Sequence, residues 1–168
     1  PVCAAVTGRA DAGSVLARLA RENLFVSAMD DHDERFRYHH LFADLLRSRL
    51  EREGAPRLLD LHRRAAAWYE AHDQPEPAIR HFLAAGDVEA TVDLAAVTAD
   101  TLLVDGLVER ARRLLLLYTE EQLLAHPPLA IAGGWVFALA AGTREEQRRW
   151  AQLMSDYTFE DGPTPLGA

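Results

Sequence analysis

"NLFVSAMDDHDERFRYHHLFADLLRSRL", residues 23–50, changes its hydrophobic rhythm twice. Residues 23–29 are short and apolar with strand propensity, and the polar run 30–34 is turn-forming. Residues 35–39 then alternate with period two. That places Phe36 and Tyr38 on one face of a strand and Arg35, Arg37 and His39 on the other. After them Leu41, Phe42, Leu45, Leu46 and Leu50 recur as an apolar helical stripe, leaving Arg47, Arg49, Glu51, Arg52 and Glu53 for a wet face. Upstream, Val15, Leu16, Leu19 and Ala20 repeat at helical spacing within 11–22, where Asp11 and Ser14 can cap the first turn. The pattern predicts helix, strand, turn, strand, helix.

A hairpin held between two helices in so few residues is the back half of a winged-helix domain, and residues 1–56 are assigned to it. Its front helix or two would precede Pro1. "PVCAAVTGR" opens like the middle of a domain, so an excised segment is expected. "EGAP" (53–56) breaks the helix.

Everything after Pro56 reads as helical. Residues 57–72 put Leu58, Leu61, Ala65 and Trp68 on one face, and 73–77 form a turn whose Pro75 and Pro77 fit only at or before a first helical turn. Helices follow at 76–86, at about 87–104, at 107–118, at 128–141 and at 143–154. The helix-pair turns fall at Asp73, Gly106 and Gly142, spacings of 33 and 36. That period suits a two-helix repeat of the tetratricopeptide (TPR) kind, in which no pair buries its apolar face alone. Ile79/Phe82/Leu83, Ala111/Leu114/Leu115 and Gln147/Trp150/Ala151 take equivalent second-helix positions. The expected fold class is therefore mainly α: a truncated winged helix with a β-hairpin wing, then TPR-like α-solenoid helix pairs over 57–158 and a flexible tail at 159–168.

The 168 residues are 49% hydrophobic and carry a net charge of −8, and all 18 basic residues are Arg. Residues 1–56 hold 8 basic and 9 acidic groups, which leaves 10 and 17 for residues 57–168. Neither part offers the basic surface that phosphate-backbone binding needs, so direct DNA binding by this segment is not expected. The single cysteine, Cys3, fits a reducing cytoplasm. The most apolar run, 128–142, is short of the roughly 20 residues that cross a bilayer, so a buried helix and no membrane contact are expected.

His39 and His40 are the candidate chemistry. Adjacent strand residues face opposite ways and no Cys or i+4 His completes a tetrahedral set, which argues against a metal. Catalysis needs a nucleophile or a paired acid. Asp44 is the nearby acid and no Ser or Cys elbow occurs, so no catalytic residue is assigned and the segment is read as non-enzymatic. A plain alternative makes the pair junction residues, one imidazole capping a helix end. Trp68 and Tyr69 read as core, Arg110, Arg112 and Arg113 as a solvated helix face, and His62, His72, His81 and His126 as scattered.

"LARLARENLFVSAMDDHDERFRYHHLFADLLRSRL", with the later "LHRRAAAWYEAHDQPEPAIRHFLAAGD", resembles the large ATP-dependent LuxR-type transcriptional regulators of the maltose-operon activator kind, which are STAND signalling ATPases. The resemblance runs from about Val2 to Met154. It implies an upstream nucleotide-binding module, this winged helix, a helical sensor arm responding to a small-molecule or protein inducer, and a distant helix-turn-helix. The partners it implies for this segment are thus the chain's own upstream module and downstream arm. No phosphate loop G-x-x-x-x-G-K-[ST] occurs here, so no cofactor is expected in the segment, and ATP or ADP belongs to the parent protein. "YHHL" (38–41) is similar to the "MHDL" segment of related signalling ATPases, in which the first histidine reaches the β-phosphate of ADP. Aligned on Leu41, the resemblance gives that sensor role to His39, with His40 in place of the usual Asp. The function expected is a non-catalytic linker and sensor-arm segment that relays nucleotide state; a free-standing helical-repeat adaptor is the alternative.

Overall fold

The computed structural model describes residues 1–29, 35–140, 142 and 144–156. The expected turn at 30–34 and the tail at 159–168 lie outside them. The chain packs as two compact units, Pro1–Asp87 and Val88–Ala168.

The first unit begins with a helix that sequence periodicity did not single out, α1 (Val2–Thr7), closed by Gly8 at φ 70° with its N–H on the Ala4 carbonyl at 2.8 Å. Next come α2 (Ala12–Arg21), β1 (Val26–Ala28), β2 (Phe36–Tyr38), α3 (His40–Arg52), α4 (Ala55–Glu70) and α5 (Pro75–Ala84). The predicted order of helix, strand, strand, helix is present. β1 and β2 are antiparallel, with Val26 opposite Tyr38, Ser27 opposite Arg37 and Ala28 opposite Phe36. Gly54 at φ 108° separates α3 from α4, and Pro75 starts α5 where its missing N–H is harmless.

Two expectations of side-chain use fail in this unit. The Asp11 carboxylate does not cap α2. It is taken by the Arg9 guanidinium at 2.8 and 3.0 Å, a hydrogen bond that holds its pKa below the usual value, and the Ser14 hydroxyl donates to the Asp11 carbonyl. The α3 stripe also fails to reach a core. Leu41 is 66% and Leu45 57% exposed, and no α3 residue is buried. The fully buried apolar side chains of the unit are few and mostly small: Val26, Ala65, Ala66, Ala78, Ile79 and Ala85.

The second unit opens with a 3-10 turn (Glu89–Thr91) where a continuous helix from Asp87 was expected. It continues through α6 (Val92–Val104), α7 (Val108–Leu115), α8 (Glu120–Ala125), α9 (Pro127–Leu139) and α10 (Arg144–Asp156). α8 is an element the periodicity missed. Its signal was present at residues 119–122: the Thr119 hydroxyl accepts the Gln122 N–H at 3.1 Å, and the Gln122 side chain accepts the Thr119 N–H at 2.9 Å. Ala111, Leu114 and Leu115 on α7 are buried. Trp150 on α10 is buried too, stacked on Phe137 with ring centroids 4.6 Å apart, whereas Ala151 faces out. α9 buries Leu129, Ala130, Ala132, Gly133, Val136 and Phe137 but leaves Trp135 62% exposed, so the expected buried helix is buried on one side only. Among the described residues no helix is long and apolar enough to cross a membrane.

Candidate phosphate-facing site at the start of α3

His39 sits where β2 hands over to α3. It is the N-cap residue of α3 at φ −57°, ψ 134°, and its N–H donates to the Phe25 carbonyl at 2.8 Å. Its imidazole makes no cap hydrogen bond, so the plain capping alternative is not what this ring does. His40 is already helical. The strand alternation therefore stops at Tyr38, and the two imidazoles lie side by side with ring centroids 4.4 Å apart, not on opposite faces. Two rings are still short of a metal site: among the described residues no cluster of three or more His, Cys, Asp or Glu forms. Asp44 is engaged by the Arg47 guanidinium at 2.8 Å.

Around the pair lies a surface concavity of about 480 Å³ lined by Asn23, Phe25, Val26, Ser27, Arg37, Tyr38, His39 and His40. Among the described residues, no carboxylate lines it. It holds one guanidinium, two imidazoles and the N-terminal end of a 13-residue helix, whose first-turn N–H groups have no partner within the helix. That combination favours an oxyanion. The floor is also conformationally unusual. Asn23 and Phe25 have φ of 53° and 60°; a left-handed conformation costs a bulky residue such as Phe about 1–2 kcal/mol. Phe25 is held there by the His39 hydrogen bond and by stacking on Phe42, with centroids 5.1 Å apart. Strain of this kind clusters at ligand clamps and switch regions.

The other sequence candidates disperse. Trp68 and Tyr69 are half-buried, Trp68 stacking on His72 and Tyr69 on His81. Arg112 is half-buried, so Arg110, Arg112 and Arg113 are not one solvated face. His126 starts α9 and faces Glu89 at 3.6 Å. His62 and His81, read as scattered, come together with their Nδ1 atoms 2.9 Å apart. A clue was available: they stand ten residues before and nine after His72, and an antiparallel helix pair brings such positions level.

With this hairpin-and-helix geometry in place, the family that matches is the MalT winged helix domain, over residues 1–58. Residues 1–58 are a winged helix of the MalT type. The chain is similar to the HTH-type transcriptional regulator MalT of Cronobacter sakazakii, 36% identical over 150 residues, covering 89% of this chain and 16% of that protein. MalT of Klebsiella pneumoniae is 43% identical over 89 residues, 53% of this chain and 10% of that one. The serine/threonine-protein kinase PknK of Mycobacterium tuberculosis is 39% identical over 93 residues, 55% of this chain and 8% of the kinase. The chain thus spans less than a fifth of each of these relatives. These similarities support the resemblance to a segment of a MalT-type, LuxR-family regulator. No solved structure gives a significant match.

Proposed function

We propose that this chain is the linking segment of an ATP-dependent, MalT-type transcription regulator, non-catalytic itself, which relays nucleotide state from an ATPase module to a helical sensor arm. The observation that carries this reading is the composition of the concavity at His39: Arg37, two imidazoles and a helix N-terminus, with no acid among the described residues that line it, over a backbone held in a strained conformation. Such a surface suits the diphosphate of a nucleotide, and His39 is the residue we assign to the phosphate of ADP. A charge-assisted hydrogen bond from an imidazole contributes about 1.5–3 kcal/mol. It biases the resting state only to the extent that ADP and ATP differ in making it. The full-length regulator carrying His39→Ala should lose bound ADP roughly ten- to a hundred-fold faster than wild type on the same figures. Unchanged ADP retention would remove His39 from the mechanism.

A second reading, a free-standing helical-repeat adaptor, is favoured by Ile131, Trp135 and Leu139, which are exposed one turn apart along α9. The gene separates the two. Coding sequence running upstream into a phosphate loop and downstream into a helix-turn-helix supports the regulator, and stop codons near both ends support the adaptor.

A further inference from the structure

α4 and α5 form an antiparallel pair, and across it His62 and His81 meet Nδ1 to Nδ1 at 2.9 Å. At that separation one ring donates its Nδ1–H to the lone pair of the other, so the neutral pair holds one inter-helix hydrogen bond. The rings are 5.2 Å apart between centroids, and Tyr69 lies nearly parallel to His81 at 5.5 Å, so both imidazoles are packed rather than free to swing.

We propose that His62 and His81 form a proton-operated clasp between α4 and α5, closed when the pair shares one Nδ1 proton and opened when acidification puts a proton on both Nδ1 atoms. The proton inventory follows from the geometry. A first added proton takes the outer Nε2 of the donor ring and leaves the Nδ1–H···N bond intact. A second must land on the acceptor Nδ1, which replaces the bond by two facing N–H groups on two cations. The rings line a cavity of about 540 Å³ to which α4 also gives Tyr69, α1 gives Cys3, β2 gives Tyr38 and the α1–α2 connection gives Arg9. α2 and α3 contribute only apolar side chains there, Ala12, Val15, Leu16, Leu19 and Leu50, and among the described residues no Asp or Glu lines the cavity. Arg9, the charged side chain of that lining, is already paired with the Asp11 carboxylate at 2.8 Å and supplies no counter-charge to the pair. Burial first, and then the charge of His62, push the His81 pKa below its ordinary value. The device is independent of nucleotide binding at His39.

The test follows imidazole nitrogen resonances and backbone amide exchange of this chain from pH 7.5 to pH 5, corrected for intrinsic exchange. The wild type should show a hydrogen-bonded Nδ1–H between the two rings at pH 7.5. Protection of α4 and α5 amides should then fall by up to about tenfold per pH unit below pH 6.5, the limit for a difference of one bound proton. In His62→Gln the amide can still bond to His81 without becoming a cation, so that slope should flatten while protection at pH 7.5 is kept. His81→Phe, which keeps the stacking on Tyr69, should flatten it as well. Independent titration of the two rings at the ordinary histidine value, or the same slope in wild type and His62→Gln, would overturn the proposal. The ring resonances of the wild type decide this even where a variant folds poorly.

Discussion

The two units of this chain are both helical, yet they bury their apolar residues to different extents. Val88–Ala168 closes over Leu102, Leu114, Leu115, Leu123, Leu129, Val136, Phe137 and Trp150. It also buries Tyr118, whose hydroxyl pKa burial pushes up to about 12. Pro1–Asp87 buries mainly alanines, leaves Leu24, Phe25, Met29, Leu41 and Leu45 exposed and keeps a cavity between α1, α2 and α4. Apolar burial contributes roughly 25 cal/mol per Å², so each large side chain buried in the second unit contributes more than an alanine buried in the first, although both units also leave large apolar side chains exposed. The first unit has the strained backbone, the oxyanion-suited concavity and the histidine clasp. Sites that switch are drawn from the less tightly held parts of a fold, and both proposed sites fall in the unit that buries mainly alanines.

The contrast can be broken most directly by removing one leucine from each unit. Leu114→Ala, at a position 1% exposed, should lose about 2–5 kcal/mol in urea unfolding, and Leu45→Ala, exposed on α3, should change by less than about 0.5 kcal/mol. Equal losses would dissolve the distinction. Gly133→Val is the next largest. A Cβ at residue 133 would stand 3.1 Å from the Trp150 ring, which is fixed against Phe137, so overpacking should cost about 1–3 kcal/mol and blue-shift or broaden the tryptophan emission. A smaller effect is expected at α8, where Thr119→Ala removes the hydroxyl that accepts the Gln122 N–H while the residue-119 N–H keeps the Gln122 side chain, and should lower stability by about 1 kcal/mol, read as a fall in melting temperature.

The pH dependence sharpens the comparison from the other side. A histidine with a depressed folded-state pKa binds its proton more readily in the unfolded chain. The stability tied to His81 is therefore complete above about pH 6.5 and is lost as pH falls from there towards the folded-state value. Hydrogen exchange at pH 7.5 and 5.5 should show this loss in α4 and α5, and a loss confined to α9 and α10 would contradict it.

Much of the architecture was legible because it rests on local rules. The change from period two to the helical period at Tyr38–His40 placed β2 and α3 almost to the residue, and Gly54, Pro75 and Gly106 marked real boundaries through the backbone angles they tolerate. α8 was missed because six residues carry too little periodicity, although its capping box was written in Thr119 and Gln122. The α3 stripe was read correctly as a face and wrongly as a buried one, since periodicity says which residues point the same way and nothing about what meets them.

What the sequence determined by itself is the order of most elements and the hairpin at the winged-helix position, which follow from side-chain spacing and backbone preference along the chain; the likeness to MalT-type regulators rests on the resemblance of its residues to that family. Only the tertiary structure decided that His39 and His40 lie side by side beside a strained Phe25, that His62 faces His81 across nineteen residues, and that one unit buries large apolar side chains where the other buries mainly alanines. Those facts depend on distances between residues far apart in sequence. Such distances are fixed by how helices pack, and no local pattern encodes them.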